Sequence, residues 1–204
     1  MSLSFNEIEA IALKAIRGAG ASWGLAEEAA FAARWLAERD IDWAGAILAR
    51  CEAPVSDEIT FDPAALRGSR LCPLRTGAFL ADAGVPAALA ISEIASPVLL
   101  LPFLARAEAT APLCVRIETS APLWIASGHL HTRGGSLTIP ASAAVAITTA
   151  QLPDDAAPVP CLRRPRPVAA DALQALSAFE RRTYVPATAQ SRLAGAGAGL
   201  SDND

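Results

Sequence analysis

The chain has almost no lysine. Lys14 is the single one among 17 basic side chains, so every other cation is an arginine. Against 21 acidic residues this leaves a formal net charge of −4. A general nucleic-acid binder needs a basic face, and the composition offers none. The densest basic cluster, Arg163, Arg164 and Arg166, is interleaved with prolines and reads as a solvated loop rather than a phosphate-binding patch. Long apolar runs are missing as well. The longest aliphatic stretch, Val98 to Leu104, contains Pro102 and gives way to Arg106, whereas a bilayer span needs about 20 apolar residues. Met1 to Asn6 lacks the charged segment and apolar core of a secretory leader. A cytoplasmic protein is expected, with neither membrane nor nucleic acid as partner.

Other scarcities remove other chemistries. Cys51, Cys72, Cys114 and Cys161 are widely spaced and form no C-x-x-C pair. They read as buried thiols of a reducing compartment, without zinc. Gly20-Ala-Ser22-Trp-Gly24 matches G-x-S-x-G in letters only, because it leaves a helical pattern rather than a strand, so a serine hydrolase has no nucleophile in its usual setting. His129 and His131 are the only histidines. On a strand they would share a face and could offer two nitrogens to a metal, but a catalytic zinc needs a third protein ligand. Glu118 and Cys114 are the neighbouring candidates, and ordinary histidines near a hairpin are the competing reading. No metal and no cofactor is expected. Aromatic residues make up 5%, so Trp23, Trp35, Trp43 and Trp124 should dominate wherever they pack.

What is present is alanine, the commonest of the residues that make up the 52% apolar content. It favours helix but adds little area per residue buried. Ser4-Phe5-Asn6-Glu7 reads as a capping box, opening a helix whose apolar face holds Phe5, Ile8, Ala12 and Ala15 and which ends at Gly18 as its C′ glycine. Ser22 caps a second helix running to about Arg39, and Asp42 starts a third, Trp43 to Arg50. Residues 1–52 therefore form an N-terminal helical unit, and residues 53–204 an α+β body with a C-terminal tail, the two together making one compact domain. In the body, Asp62-Pro63 signals a short helix to Leu66, Thr76 a second one from Gly77 to Ala83, and Ser96-Pro97 an apolar helix kinked or started at Pro102. Leu113 to Thr119 alternates as a strand. Leu123 to Ala126 and Leu130 to Arg133 follow, and Gly134-Gly135 turns into Ser136 to Ile139 as a hairpin. Ala144 to Ala150 fits a strand or a short helix. Gln151 to Pro167 is an extended proline-rich connector, and Asp171 caps a last helix to about Arg181. Helices, then a mainly antiparallel sheet, then a C-terminal helix and tail give an α+β fold.

The densest local pattern is Gly18 to Ala29. Its glycines mimic a dinucleotide fingerprint, but they leave an amphipathic helix rather than a parallel strand, which removes that reading. The remaining reading is a helix–helix turn with Trp23 packed into its corner. The free amides after Ser22 favour an anion. Glu27 and Glu28 already answer that dipole and could instead take an amine or an arginine. At the other end, Gly195 to Gly199 can form anion-binding backbone concavities, with Arg192 and the sole tyrosine, Tyr184, beside them; a frayed terminus is the alternative.

The opening pattern Ser4-x-Asn6-Glu7-x-Glu9, followed by Gly18-Ala-Gly20-x-Ser22-Trp23-Gly24-x-Ala26-Glu27-Glu28-Ala29, resembles a small bacterial family, a domain of unknown function. Tyr184-Val-Pro186, Ser191-Arg192 and Pro97 to Phe103 are similar to the same family. The resemblance implies no activity, cofactor or residue role.

Two functions fit these observations. One is a small-molecule-binding protein or enzyme whose ligand, anionic or amine-bearing, meets Trp23, Glu27, Tyr184 and Arg192, with no catalytic residue assigned. The other is a non-catalytic accessory protein that forms a homo-oligomer through an exposed apolar patch.

Overall fold

A computed structural model of the chain describes residues 2–55, 60–62, 64–68, 70–107, 111–134 and 140–184. Three helices come first: α1 (Phe5–Gly18), α2 (Trp23–Ala37) and α3 (Trp43–Glu52). Each starts at a side-chain cap that the sequence announces. Ser4 Oγ accepts from the Glu7 amide, and the Glu7 carboxylate accepts in return from the Ser4 amide at 2.6 Å. Ser22 Oγ accepts from the Leu25 amide at 3.4 Å, and Asp42 from the Gly45 amide at 2.9 Å.

The remainder is a sheet interrupted by helices. In chain order the elements are β1 (Thr60–Asp62), β2 (Ala65–Arg67), α4 (Pro73–Ala83), β3 (Ala88–Ala95), a 3-10 turn (Pro97–Leu100), α5 (Leu101–Arg106), β4 (Leu113–Ile117), β5 (Leu123–Ala126), β6 (His129–Thr132), β7 (Ser142–Thr149), β8 (Ala157–Pro158) and α6 (Ala170–Glu180). The strand order is β1-β2-β3-β7-β4-β5-β6-β8. The β2–β3 pair is parallel and every other pair antiparallel. The architecture is α+β, with N-terminal helices, a mixed sheet and a C-terminal helix.

Several local expectations are corrected. Ala65–Arg67 is a strand, not the end of a short helix, because its backbone pairs with β3; Pro63 lies outside the described residues. β3 carries no clear sequence signal and yet sits inside the sheet. α4 begins at Pro73 rather than after Thr76, which is buried within the helix. The 144–150 segment resolves as a strand. α5 does start at its proline, with Pro102 in the first turn. The hairpin expected after Gly134 runs into residues 135–139, outside the described residues.

Gly18 has a different role from the one expected. The positive φ that ends α1 falls on Gly20, at 95°. Gly18 is instead where α6 crosses α1: a Cβ there would lie 1.8 Å from the Phe179 carbonyl oxygen. The core is continuous from helices to sheet. Ile8, Leu36, Ile47, Leu80 and Phe103 share one buried cluster with Leu66, Ile91, Val115 and Ile147. Successive strand residues point to opposite faces, so one sheet face packs on the helices and the other faces outward.

Candidate functional site

Trp23, the first residue of α2, is 63% exposed and is not a core anchor. α1 and α2 meet through alanines instead. Ala12, Ala15, Ala26, Ala29 and Ala33 are all fully buried, and that close approach leaves no volume for an indole. The Trp23 ring takes the Arg17 guanidinium 4.6 Å from its centroid, while Arg17 also donates to the Ala21 carbonyl. Glu27, one turn further, is exposed and makes no hydrogen bond or ion pair among the described residues. Its neighbour Glu28 pairs with Arg106 at 3.0 Å.

Tyr184 is 55% exposed. Its hydroxyl donates to Glu180 Oε1 at 2.7 Å, and the same oxygen accepts from Lys14 Nζ at 2.8 Å. Lys14 and Arg17 are three residues apart on α1 and thus surface neighbours. Both ends proposed from the sequence therefore reach the same stretch of α1, Trp23 through Arg17 and Tyr184 through Glu180. Arg192 and the Gly195 to Gly199 segment lie outside the described residues. His129 and His131 share a face of β6. Across the sheet His131 pairs with Trp124 and Trp124 with Cys114, so sulfur and imidazole sit two strand spacings, about 9–10 Å, apart. Among the described residues no group of three His, Cys, Asp or Glu side chains could hold a metal.

A cleft lies elsewhere, between the turn that joins α2 to α3 and the β6–β8 edge. It encloses about 610 Å³ and is lined by Arg39, Asp40, Ile41 and Asp42 on one side and by Thr132, Arg133, Asp155 and residues 157–160 on the other. The local chain makes these walls. Asp40 takes a left-handed φ of 57°, which reverses the backbone after α2. The proline-rich connector then closes the cleft. The Val159 amide donates to the Leu130 carbonyl at 2.8 Å, and the Leu162 amide to the Glu38 carbonyl at 2.6 Å.

Arg39 is the chemically unusual wall residue. It is 9% exposed. Its guanidinium lies 3.8 Å from the centroid of the Trp35 ring, four residues back. Nη1 donates to the Trp35 carbonyl at 3.0 Å and lies 3.6 Å from Glu38 Oε2. Nε–H is buried and has no partner among the described residues. Burial pulls the Arg39 pKa below its ordinary value, against the opposing influence of Cys161 and Glu38, but a guanidinium stays charged in a protein. The nearby carboxylates are already engaged: Asp155 with Arg133 at 2.8 Å, Asp40 with Arg166 at 3.4 Å, and Asp42 with the Gly45 amide. Arg133 also lies 5.3 Å over Trp124. Among the described residues no acceptor takes the Nε–H of Arg39; the Nε–Nη2 edge of an arginine is the one that a carboxylate or phosphate takes as a two-point fork.

This cleft has no strong sign in the sequence. Its walls come from a helix end, a strand edge and a connector that read as plain surface. The available signal was the Trp35–Arg39 spacing, one helical turn, at the end of α2.

Residues 3–67 match the model of a family described as a protein of unknown function (DUF3726). The match takes in α1 to α3, the glycine–tryptophan corner and Arg39. The segments around Pro97 and Tyr184, for which the same resemblance was expected, lie beyond it. None of the curated proteins and none of the solved structures matches the chain.

Proposed function

We propose that the chain is a small-molecule-binding protein whose ligand presents a carboxylate, or an oxyanion of similar shape, to Arg39 in the cleft beside Arg133 and Asp155. The buried, unpartnered Nε–H of Arg39 carries this reading. Leaving a buried donor unsatisfied costs about 1–3 kcal/mol, more on a charged group, and a bound oxyanion offsets that cost. The four cysteines are all unpaired, which supports a reducing compartment such as the cytoplasm. No helix among the described residues is long and apolar enough to cross a membrane.

The test is a thermal-shift panel of small mono- and dicarboxylates, inorganic phosphate and amines. A carboxylate at a hundred times its Kd adds about 2.7 kcal/mol of stability, which raises Tm by roughly 5–10 °C in a chain of this size. Arg39→Lys keeps the charge but loses the fork, and shrinks the shift. Arg133→Gln, at the exposed rim, shrinks it without disturbing the core. Carboxylates that move the wild type no further than amines do would overturn the proposal. The exposed Trp23–Glu27 corner, with Tyr184 nearby along α1, is the competing location; a shift lost in Trp23→Ala and kept in Arg39→Lys would assign the ligand there.

A second reading, a homo-oligomeric accessory protein, is favoured by the small side chains on the outward face of the sheet.

A further inference from the structure

An antiparallel sheet with one solvated face alternates apolar-in with polar-out. Here the inward positions are apolar as expected, but half of the outward ones at the centre of β2, β3, β7 and β4, namely Ala65, Ala90, Ala144 and Ala146, are alanine. They border a hollow of about 630 Å³ rimmed by Arg67, Arg116 and Glu118. Alanine is depleted in strands and gains nothing from facing water. A flat floor of small side chains suits a second layer lying close against it.

The register arranges the charges. Ala65, Ala90, Ala146 and Arg116 form one row across the four strands. Two residues along each strand, Arg67, Ser92, Ala144 and Glu118 follow as the next outward row, in which a bulge in β3 between Ile91 and Ile94 sets both Ser92 and Glu93 opposite Ala144. The Glu118 amide donates to the Ala144 carbonyl at 3.1 Å, which fixes that end of the row. Arg67 and Glu118 thus stand at opposite ends of one row, about 14 Å apart over three strand spacings. Arg67, Arg116 and Glu118 are exposed and make no ion pair among the described residues.

We infer that this face is the two-fold interface of a homodimer, in which Glu118 of each copy meets an arginine of the other. Aligned sheets stack face to face, and an isologous contact is reciprocal. A two-fold axis running along the strands, midway between β3 and β7, lays β2 of one copy over β4 of the other. Arg67 then faces Glu118 of the second copy, and the reverse pair forms at the same time. An axis running across the strands lays β4 over β4, and Glu118 meets Arg116. In both arrangements the unmatched arginine falls over Ala65, where the small side chain leaves it room. The face is charge-complementary to itself. Four strands span only about 19 Å, small beside the roughly 800 Å² per partner of a standard complex, so the dimer forms at high concentration and dissociates on dilution.

Sedimentation velocity across a concentration series tests this. The wild type should pass from monomer to dimer. Glu118→Arg should weaken dimerisation about tenfold or more by turning two attractions into repulsions. Adding Arg67→Glu to that variant restores the dimer if the axis runs along the strands; adding Arg116→Glu restores it if the axis runs across them. Ala146→Arg, which fills the floor, should abolish it, with an unchanged melting temperature in dilute solution showing that the fold is intact. A wild type that stays monomeric at every concentration, a dimer indifferent to Glu118→Arg and Ala146→Arg, or failure of both double variants to recover would each overturn the inference.

Discussion

Replacing Gly18 with alanine should destabilise the protein although alanine is the better helix former. The new methyl carbon would sit 1.8 Å from the Phe179 carbonyl oxygen, 2.6 Å from its carbon and 3.4 Å from its Cα. All three are backbone atoms, so no side-chain rotation relieves the clash, and α6 must retreat by more than an ångström. That retreat disturbs Leu176, which is fully buried, and the 2.8 Å Lys14–Glu180 ion pair. Overpacking costs about 1–3 kcal/mol, and an obstacle made of backbone belongs at the upper end. Helix propensity returns at most about 1 kcal/mol, and less at the last residue of α1. The net loss is about 1–2 kcal/mol, or roughly 2–8 °C in Tm. Two other glycines of the same motif are internal comparators. Gly24, in the first turn of α2, has nothing within 4 Å of its would-be Cβ, so Gly24→Ala should gain up to about 1 kcal/mol. Gly20, at φ 95°, should lose about 1–2 kcal/mol on the same change. Urea unfolding, read as a midpoint shift at constant slope, separates the three. A Gly18→Ala midpoint equal to or above wild type would refute the close approach of α1 and α6.

Thiol labelling of the native protein should modify Cys161 quickly and the other three cysteines only on unfolding, because Cys161 is exposed, Cys72 and Cys114 are buried, and burial pushes the Cys51 thiol up to about 12; intact mass before and after denaturant counts the labels, and a second fast label would contradict the packing. Glu180 is held below its ordinary 4.5 first by the hydrogen bond from Lys14, so it binds its proton more weakly folded than unfolded, and its contribution is complete above that value and lost as pH falls through the lowered one. Glu180→Gln should therefore lose less stability than wild type below pH 4.5, a difference that denaturant titrations at stepped pH would show and that parallel acid limbs would disprove.

The elements that were legible in the sequence are those whose signals are local. Ser4, Ser22 and Asp42 mark helix starts because a short polar side chain answers orphan amides two or three residues on. β4, β5 and β6 were legible because their apolar positions recur with period two or lie next to a glycine turn. β3 was not. Its sequence, Ala88–Ala95, reads Ala-Leu-Ala-Ile-Ser-Glu-Ile-Ala, and alanine, leucine and glutamate favour helix. It becomes a strand because β2 and β7 flank it, and that pairing is a tertiary fact. The same holds for Ala65–Arg67, where parallel pairing with β3 overrides the cap-and-proline signal of Asp62-Pro63.

The glycine–tryptophan corner drew notice because its unusual residues lie close together along the chain, yet its glycines turn out to serve distinct mechanical ends: Gly18 admits a helix, Gly20 supplies a turn. The Arg39 cleft shows the converse. Arg39, Arg133, Asp155 and Arg166 are individually ordinary surface residues in sequence, spread over four segments. What makes Arg39 unusual is burial against Trp35 with one donor left unpaired, and neither burial nor pairing can be read before the connector is placed. Residues 151–167 read as an extended connector over the surface, but an extended segment still has to lie against something, and here it adds β8 to the sheet edge. Its amides find the Leu130 and Glu38 carbonyls, and in doing so it converts a helix end and a sheet edge into an enclosed wall. The cleft is therefore a product of the connector's two backbone hydrogen bonds, which are long-range contacts and hence invisible to periodicity, capping and motif spacing alike.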